Sequence, residues 1–247
     1  LVERYRPIAR DIVAAGGSST LHRSNFKTEI VAGHEEQVAQ YLAAITLVDE
    51  QIGRINDALE GRDLLENTLI IFTADHGHLT GQYGLYGKGN GSFPQNLYQE
   101  SIDIPFIISG PKSLVRGGQI RNEFVNLCDL YPTIVEVAGG SIDKQTYNGP
   151  GASLLSHLRG DRSIEFRSYQ FAEYGNARMI HDGRWKLVRF YSQESKTAPT
   201  DYWFDLVHPL GETRPTLPPT TDYQATFGEA LEKHFSKYEN ESHSGRH

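Results

Sequence analysis

Cysteine occurs once, at Cys128, so no disulfide framework can form within the chain and the redox compartment cannot be read from it. Long apolar runs are missing too; none approaches the length that crosses a bilayer, so no membrane span is expected. There is no surplus of cations: 24 Lys and Arg stand against 31 Asp and Glu, a net charge of −7. That balance argues against a nucleic-acid partner, because phosphate backbones are held by excess Lys and Arg. A small anion held by a few local cations stays open. The start, Leu1-Val2-Glu3-Arg4, has neither an initiator Met nor a charged-then-apolar signal region, and the segment is expected to derive from something longer. No internal repeat is found. What is present is ordinary for a soluble protein: 247 residues, 38% hydrophobic and 22% charged, enough for one large domain or a domain with a small appendage.

The first thirty residues, with Gly16-Gly17-Ser18-Ser19-Thr20 among them, read as an irregular connecting segment. From His34 to Glu60 the pattern changes. Val38, Leu42, Ile45, Val48 (or Leu47), Ile52, Ile55 and Leu59 recur at three-to-four spacing, which predicts a core-packing helix that stops at Gly61. Leu69 to Thr73 is an unbroken apolar run, and Ile104 to Ser109 is a second. Such runs suit strands buried on both faces, as in a parallel sheet. Asp129 to Ala138 reads as a helix entered through Pro132 and closed by Gly139-Gly140. Cys128, just before it, reads as a small packing residue. Alternating helices and buried strands indicate an α/β domain. Beyond about residue 160 the segments shorten and fill with aromatic and branched residues: Phe166 to Glu173, Arg178 to His181, Trp185 to Phe190 and Tyr202 to Phe204. Asp182-Gly183 between two of them is a hairpin signal. A Pro/Thr linker, Pro215 to Thr221, leads to a last helix, Gln224 to Tyr238, and a frayed tail from Asn240.

Chemistry concentrates in one stretch. Asp75 and His76 stand where the first apolar strand should end, and in open α/β sheets ligands gather at the carboxyl ends of strands. A carboxylate beside an imidazole suits Mn²⁺, Zn²⁺ or a mixed-ligand Mg²⁺ or Ca²⁺ site. Two polar residues in an ordinary loop are the plainer alternative. The loop that follows is crowded with glycine (Gly77, Gly81, Gly84, Gly87, Gly89, Gly91) and holds His78, Tyr83, Tyr86 and Lys88. Glycines allow the backbone to approach a bound group closely. Lys88 can set an ammonium against a tetrahedral anion, or can simply be solvated.

The ordered series resembles the type I, formylglycine-dependent sulfatases of the alkaline phosphatase superfamily. It comprises Tyr41 to Arg54 with its Val48-Asp49 and Ile52-Gly53, Asn67 to Gly77 with Ala74-Asp75-His76-Gly77, Gly84 to Lys88, Tyr98 to Pro111, Asp129-Leu-Tyr-Pro-Thr133 and Ser153 to Gly160. Gly183-Arg-Trp-Lys-Leu-Val188 and Phe204 to Glu212 are similar to that family's C-terminal subdomain. The resemblance covers roughly residues 38 to 213. It implies an alkaline-phosphatase-like α/β fold: a mostly parallel sheet flanked by helices over residues 1–160, then a small antiparallel subdomain with a terminal helix over 161–247. It implies that Asp75 and His76 ligate one divalent cation, Ca²⁺ in the first place with Mn²⁺ or Mg²⁺ as alternatives, and that Lys88 contacts the sulfate as a catalytic and substrate-binding residue. Glu100 and Pro105 match positions that look structural. The substrate implied is a small sulfated ester, and a secreted, periplasmic or lysosomal setting is compatible.

The departures matter equally. The family's nucleophile, a formylglycine made within a Cys/Ser-x-Pro-x-Arg motif, has no counterpart here, nor has the paired-aspartate motif that supplies further metal ligands. Both are expected in an N-terminal half, which makes that half the chain's expected partner. His22 and His34 lie in no convincing motif and read as solvated or locally bonded. Two other readings compete. One keeps the superfamily and moves the attack to a phosphonate or phosphate diester. The other makes the chain a non-catalytic remnant that binds through its C-terminal subdomain.

Overall fold

The computed structural model describes residues 1–24, 33–143, 147–161, 166–192 and 198–238. They gather into two compact units: residues 1–68 with 72–106, and residues 69–71 with 107–247. The tail expected to fray from Asn240 lies outside the described residues.

The first unit opens with a helix, α1 (Val2–Ala14), where the sequence had suggested irregular chain. Pro7 inside it hides the signal, since proline withdraws a backbone donor. Packing overrides that cost: Ala9 is fully buried against Val38 and Ala39, with Val2, Tyr5, Ile12 and Val13 around them. Tyr5 and Thr46 join their hydroxyls at 2.6 Å, and Arg6 pairs with Glu36. After a short strand, β1 (Arg23–Ser24), comes α2 (His34–Glu60), with the bounds that the periodicity gives and Gly61 at its end. Only part of its apolar surface is covered. Val38, Ala39 and Ala43 are buried, whereas Ile45, Val48 and Ile55 are exposed. The reading of α2 as a wholly core-packing helix is thus corrected for this chain.

β2 (Ile70–Thr73) leads to the glycine-rich loop, which contains β3 (Leu79–Thr80), β4 (Tyr86–Gly87) and β5 (Ser92–Phe93). β3 pairs antiparallel with β4, and β5 with β1. Leu79, Leu85 and Tyr98 make a small buried core under the loop. A short helix, α3 (Gln99–Ile102), then precedes β6 (Phe106–Ser109), and β6 pairs with β2. The two strands expected to be buried on both faces are not: β2 is half-buried, and Ile107 in β6 is exposed. A two-stranded pair offers no layer that covers both faces, which is what an unbroken apolar strand calls for.

In the second unit α4 (Leu130–Val137) is led in by a 3₁₀ turn, Leu127–Asp129, capped reciprocally by Asn126 and Asp129. The cap, and not Pro132, starts the helix. Cys128 is exposed, so its reading as a packing residue fails; the residue buried there is its neighbour Asp129. The Asp129 carboxylate accepts from the backbone of Asn126 (2.7 Å) and Ala152 (2.9 Å) and from Arg167 (2.6 Å). After α5 (Leu155–Leu158) come β7 (Gln170–Tyr174), β8 (Ala177–His181), β9 (Trp185–Phe190) and β10 (Thr200–Asp205). They form one antiparallel sheet in the order β10-β9-β8-β7. The expected hairpin is there: Asp182 Oδ1 accepts from the backbone of Arg184 (2.9 Å) and Trp185 (2.7 Å), and Gly183 takes a φ of 95°. The last helix, α6 (Thr221–Tyr238), lays Phe227 and Leu231 on Ile180, Leu187 and Trp203.

Facing away from α6 by strand alternation, the sheet buries a charged pair. Lys186 is fully buried and donates to Glu212 Oε1 at 2.7 Å. Breaking such a pair strands a charge, whereas replacing both partners with apolar residues is often tolerated. Lys186→Met is therefore expected to destabilise the protein by about 3–5 kcal/mol, and Lys186→Met/Glu212→Leu to recover most of that loss. Urea titrations of the two variants check this; a double variant as weak as the single would show that the pair itself, and not the stranded charge, sets the stability.

His181, also buried there, accepts a hydrogen bond on Nδ1 from the Gly183 backbone at 3.1 Å. Burial, then the Lys186 ammonium, pushes its pKa from 6.5 down to about 4. The unfolded chain thus binds a proton below pH 6.5 that the folded chain refuses until about pH 4. Its contribution is complete above pH 6.5 and is lost as the pH falls towards 4, to an extent of about 3 kcal/mol. His181→Phe should flatten that part of the stability–pH curve, as urea midpoints between pH 7 and pH 4 would record. An unchanged slope would remove His181 as its source.

Candidate metal centre

Asp75 and His76 follow β2 directly, and a backbone contact fixes where they turn. The Gly77 N–H donates to Ser101 O at 2.9 Å, and a Cβ on Gly77 would lie 2.1 Å from the Glu100 carbonyl oxygen. Only glycine fits that approach. The strand end is thereby held against α3, while Tyr83 donates to Glu100 Oε1 (3.2 Å) and stacks on Tyr98.

Within this frame three of the side chains singled out from sequence come together. The backbone N–H of His76 donates to Asp75 Oδ1 at 3.0 Å, and Asp75 Oδ2 stands 3.4 Å from His76 Nε2. Lys88 Nζ lies 3.1 Å from the same Nε2. On its other side the ring places Nδ1 2.8 Å from Gly77 O. A carbonyl can only accept and an ammonium can only donate, so Nδ1 carries a proton and Nε2 offers its lone pair to Lys88. This is the tautomer a metal-ligating histidine needs, fixed by a backbone acceptor as such ligands usually are. The chemistry of the pair, carboxylate oxygen with neutral imidazole nitrogen, fits one divalent cation. It is a partial set. Among the described residues no group of three or more His, Cys, Asp or Glu side chains is arranged to hold a metal ion.

Two further residues belong to this neighbourhood and were given no role from sequence. His78 stacks on Tyr41 of α2 (ring centroids 4.9 Å apart, planes 19° apart), and burial, then His76 and Lys88, lowers its pKa. His34, at the start of α2, stacks on Tyr86 at 3.4 Å, two residues before Lys88. His34 is buried with no hydrogen-bond partner, so its expected solvation is corrected; His22 is locally bonded, through Nδ1 to the Tyr98 hydroxyl at 2.9 Å. No local pattern announces either stack, because each joins residues tens of positions apart.

Comparison with known proteins gives the family and the fold. The model of the Sulfatase family matches residues 8–141, just over half of the chain, and that of the N-sulphoglucosamine sulphohydrolase C-terminal region matches residues 81–206. A choline-sulfatase of Rhizobium meliloti is 31% identical over 151 residues, 60% of this chain and 28% of that protein. An N-acetylglucosamine-6-O-sulfatase of Bacteroides thetaiotaomicron is 30% identical over 170 residues, 64% of this chain and 29% of its own. Among solved structures, a protein in complex with its substrate D-glucosamine-2-N,6-O-disulfate superposes with a TM-score of 0.71 at 23% identity, covering 90% of this chain and 44% of that one. A phosphonate monoester hydrolase from Silicibacter pomeroyi gives 0.69 at 23%, covering 87% and 43%. The structural likeness shows a shared fold, mixed α/β with a small antiparallel sheet. The chain belongs to the sulfatase family. It spans less than a third of the length of these curated relatives and less than half of these solved ones.

Proposed function

We propose that this chain is the C-terminal part of a sulfuric ester hydrolase, holding part of its metal and sulfate site. The observation that carries the reading is the convergence of Asp75 Oδ2, the His76 Nε2 lone pair and Lys88 Nζ. Asp75 and His76 would hold one divalent cation, Ca²⁺ before Mn²⁺ or Mg²⁺. When bound, the cation supplies Lewis-acid polarisation of a sulfate oxygen. With the Nε2 lone pair taken by the cation, the Lys88 ammonium would be free to hold and stabilise the sulfate group. A fixed positive charge where negative charge develops is commonly the largest single catalytic contribution.

Attack on sulfur needs a nucleophile, and the formylglycine motif belongs to the N-terminal half of the same enzyme, the partner this reading requires. The mostly parallel sheet, its separation at about residue 160 from an antiparallel subdomain, and a small sulfated ester as substrate belong to the same proposal. The phosphonate monoester hydrolase of like fold keeps one alternative in view. The discriminating experiment gives the assembled enzyme an aryl sulfate and an aryl phosphonate monoester. Faster release of sulfate supports the proposal; a clear preference for the phosphonate overturns it in favour of the alternative.

A further inference from the structure

Lys88 owes its place to the chain on either side of it. On the N-terminal side β4 is held to β3 by the pairs Thr80 with Tyr86 and fully buried Leu79 with Gly87. On the C-terminal side a 3₁₀ turn, Gly89–Gly91, follows at once, and the Gly91 N–H donates to Lys88 O at 2.7 Å. Gly87, Gly89 and Gly91 give this backbone little stiffness of its own. A buried side chain supplies what they lack: Asn96, 1% exposed. Gly89 O accepts from Asn96 twice, from its backbone N–H at 3.1 Å and from Nδ2 at 3.4 Å. Nδ2 also donates to Ser92 Oγ at 2.9 Å. Oδ1 accepts from Ser101 Oγ at 2.7 Å and from the Tyr98 backbone N–H at 3.4 Å.

These partners fix which way the amide faces, since the Gly89 carbonyl can only accept and the Tyr98 N–H can only donate. Both amide hydrogens and both oxygen lone pairs are engaged. A buried amide saturated in this way specifies one local conformation, and removing it strands its partners. The same amide reaches the other arm of the candidate centre. Ser101, whose hydroxyl binds Oδ1, accepts the Gly77 N–H on its backbone oxygen at 2.9 Å, next to His76. A chain of hydrogen bonds thus runs from Gly89, beside Lys88, through Asn96 and Ser101 to Gly77, beside His76. The 3.1 Å approach of Lys88 Nζ to His76 Nε2 closes the circuit.

We propose that Asn96 is a positioning residue, which sets the Lys88 ammonium at a fixed spacing from the arm that carries Asp75 and His76. It acts through the Gly89 carbonyl and through Ser101. What the ammonium does at that spacing rests on the sulfatase reading.

Two readouts test it. The first needs no catalysis and follows amide hydrogen exchange in the full chain. Asn96→Ala should speed exchange at Gly91, whose N–H is bonded to Lys88 O, by roughly tenfold or more, and leave Gly77 within about twofold of wild type. The second is a double-mutant cycle in the assembled enzyme. Asn96→Ala should lower kcat by about tenfold with cation affinity unchanged, and by less than about twofold where Lys88 is already alanine. A merely structural role would lose the same factor in both backgrounds. Ser101→Ala removes the far anchor and leaves both donors to Gly89, so it serves if Asn96→Ala does not fold. The same dependence on Lys88 is expected of it, at about threefold. Unchanged exchange at Gly91, or equal losses with and without Lys88, would overturn the proposal. The cycle is run on an aryl sulfate and on an aryl phosphonate monoester. Preference for the phosphonate, with the dependence on Lys88 kept, would refute the sulfatase reading and leave the positioning role intact.

Discussion

Asp75→Asn in the assembled enzyme is expected to cut sulfate-ester turnover by roughly 10³-fold, the kinetic equivalent of about 4 kcal/mol, and to weaken binding of the divalent cation in parallel. The substitution is nearly isosteric, but it replaces one anionic oxygen with an amide group and removes the negative charge that offsets the cation. Asp75 is exposed, and its Oδ1 contact is to the backbone N–H of the next residue, so little folding stability rests on it. Activity should therefore fall without a matching fall in the unfolding midpoint. Titration calorimetry with Ca²⁺ and Mn²⁺, beside steady-state rates, checks both halves. Full activity in the purified variant would remove Asp75 from the metal centre.

Lys88→Ala should lose about 10²–10³ in rate, the scale of one preorganised electrostatic stabiliser. Its signature differs from that of Asp75→Asn. Lys88 donates to the same Nε2 lone pair that a cation would take, so removing it should leave cation affinity unchanged or tighter. If Lys88 has the proposed role, the loss should fall mainly on kcat. Paired measurement of cation affinity and kcat on this variant gives the test. A wild-type rate would make Lys88 a bystander, and a parallel loss of cation affinity would make it a structural support of His76.

The parts legible in the sequence are those with local grammar. The bounds of α2 followed from its spacing and Gly61, and the β8–β9 hairpin from Asp182-Gly183. Asp75, His76 and Lys88 were named from a strand end and a glycine-rich loop, and the fold brings their functional atoms within 3.4 Å of a shared nitrogen. What escaped is long-range. The helix α1 was masked by Pro7 because the packing that rescues it comes from residues some thirty positions away. Asp129 was read as a helix start, yet its carboxylate binds Arg167 thirty-eight residues on. Lys186 and Glu212, twenty-six residues apart, are buried together, and no local pattern links them. The periodicity of α2 also concealed a distinction: Val38 and Leu42 belong to a face that α1 meets, while Ile45, Val48 and Ile55 belong to one that stays exposed. Periodicity reports that a face is apolar and says nothing of what covers it.

Anomalous scattering tests most directly the proposed cation shared by Asp75 and His76 beside Lys88. Crystals of the assembled enzyme grown with Mn²⁺ or Ca²⁺ should show one peak within roughly 2.0–2.6 Å of an Asp75 carboxylate oxygen and His76 Nε2, with Lys88 Nζ turned away from that nitrogen. A peak elsewhere, or none, with Lys88 still bonded to His76, would contradict it.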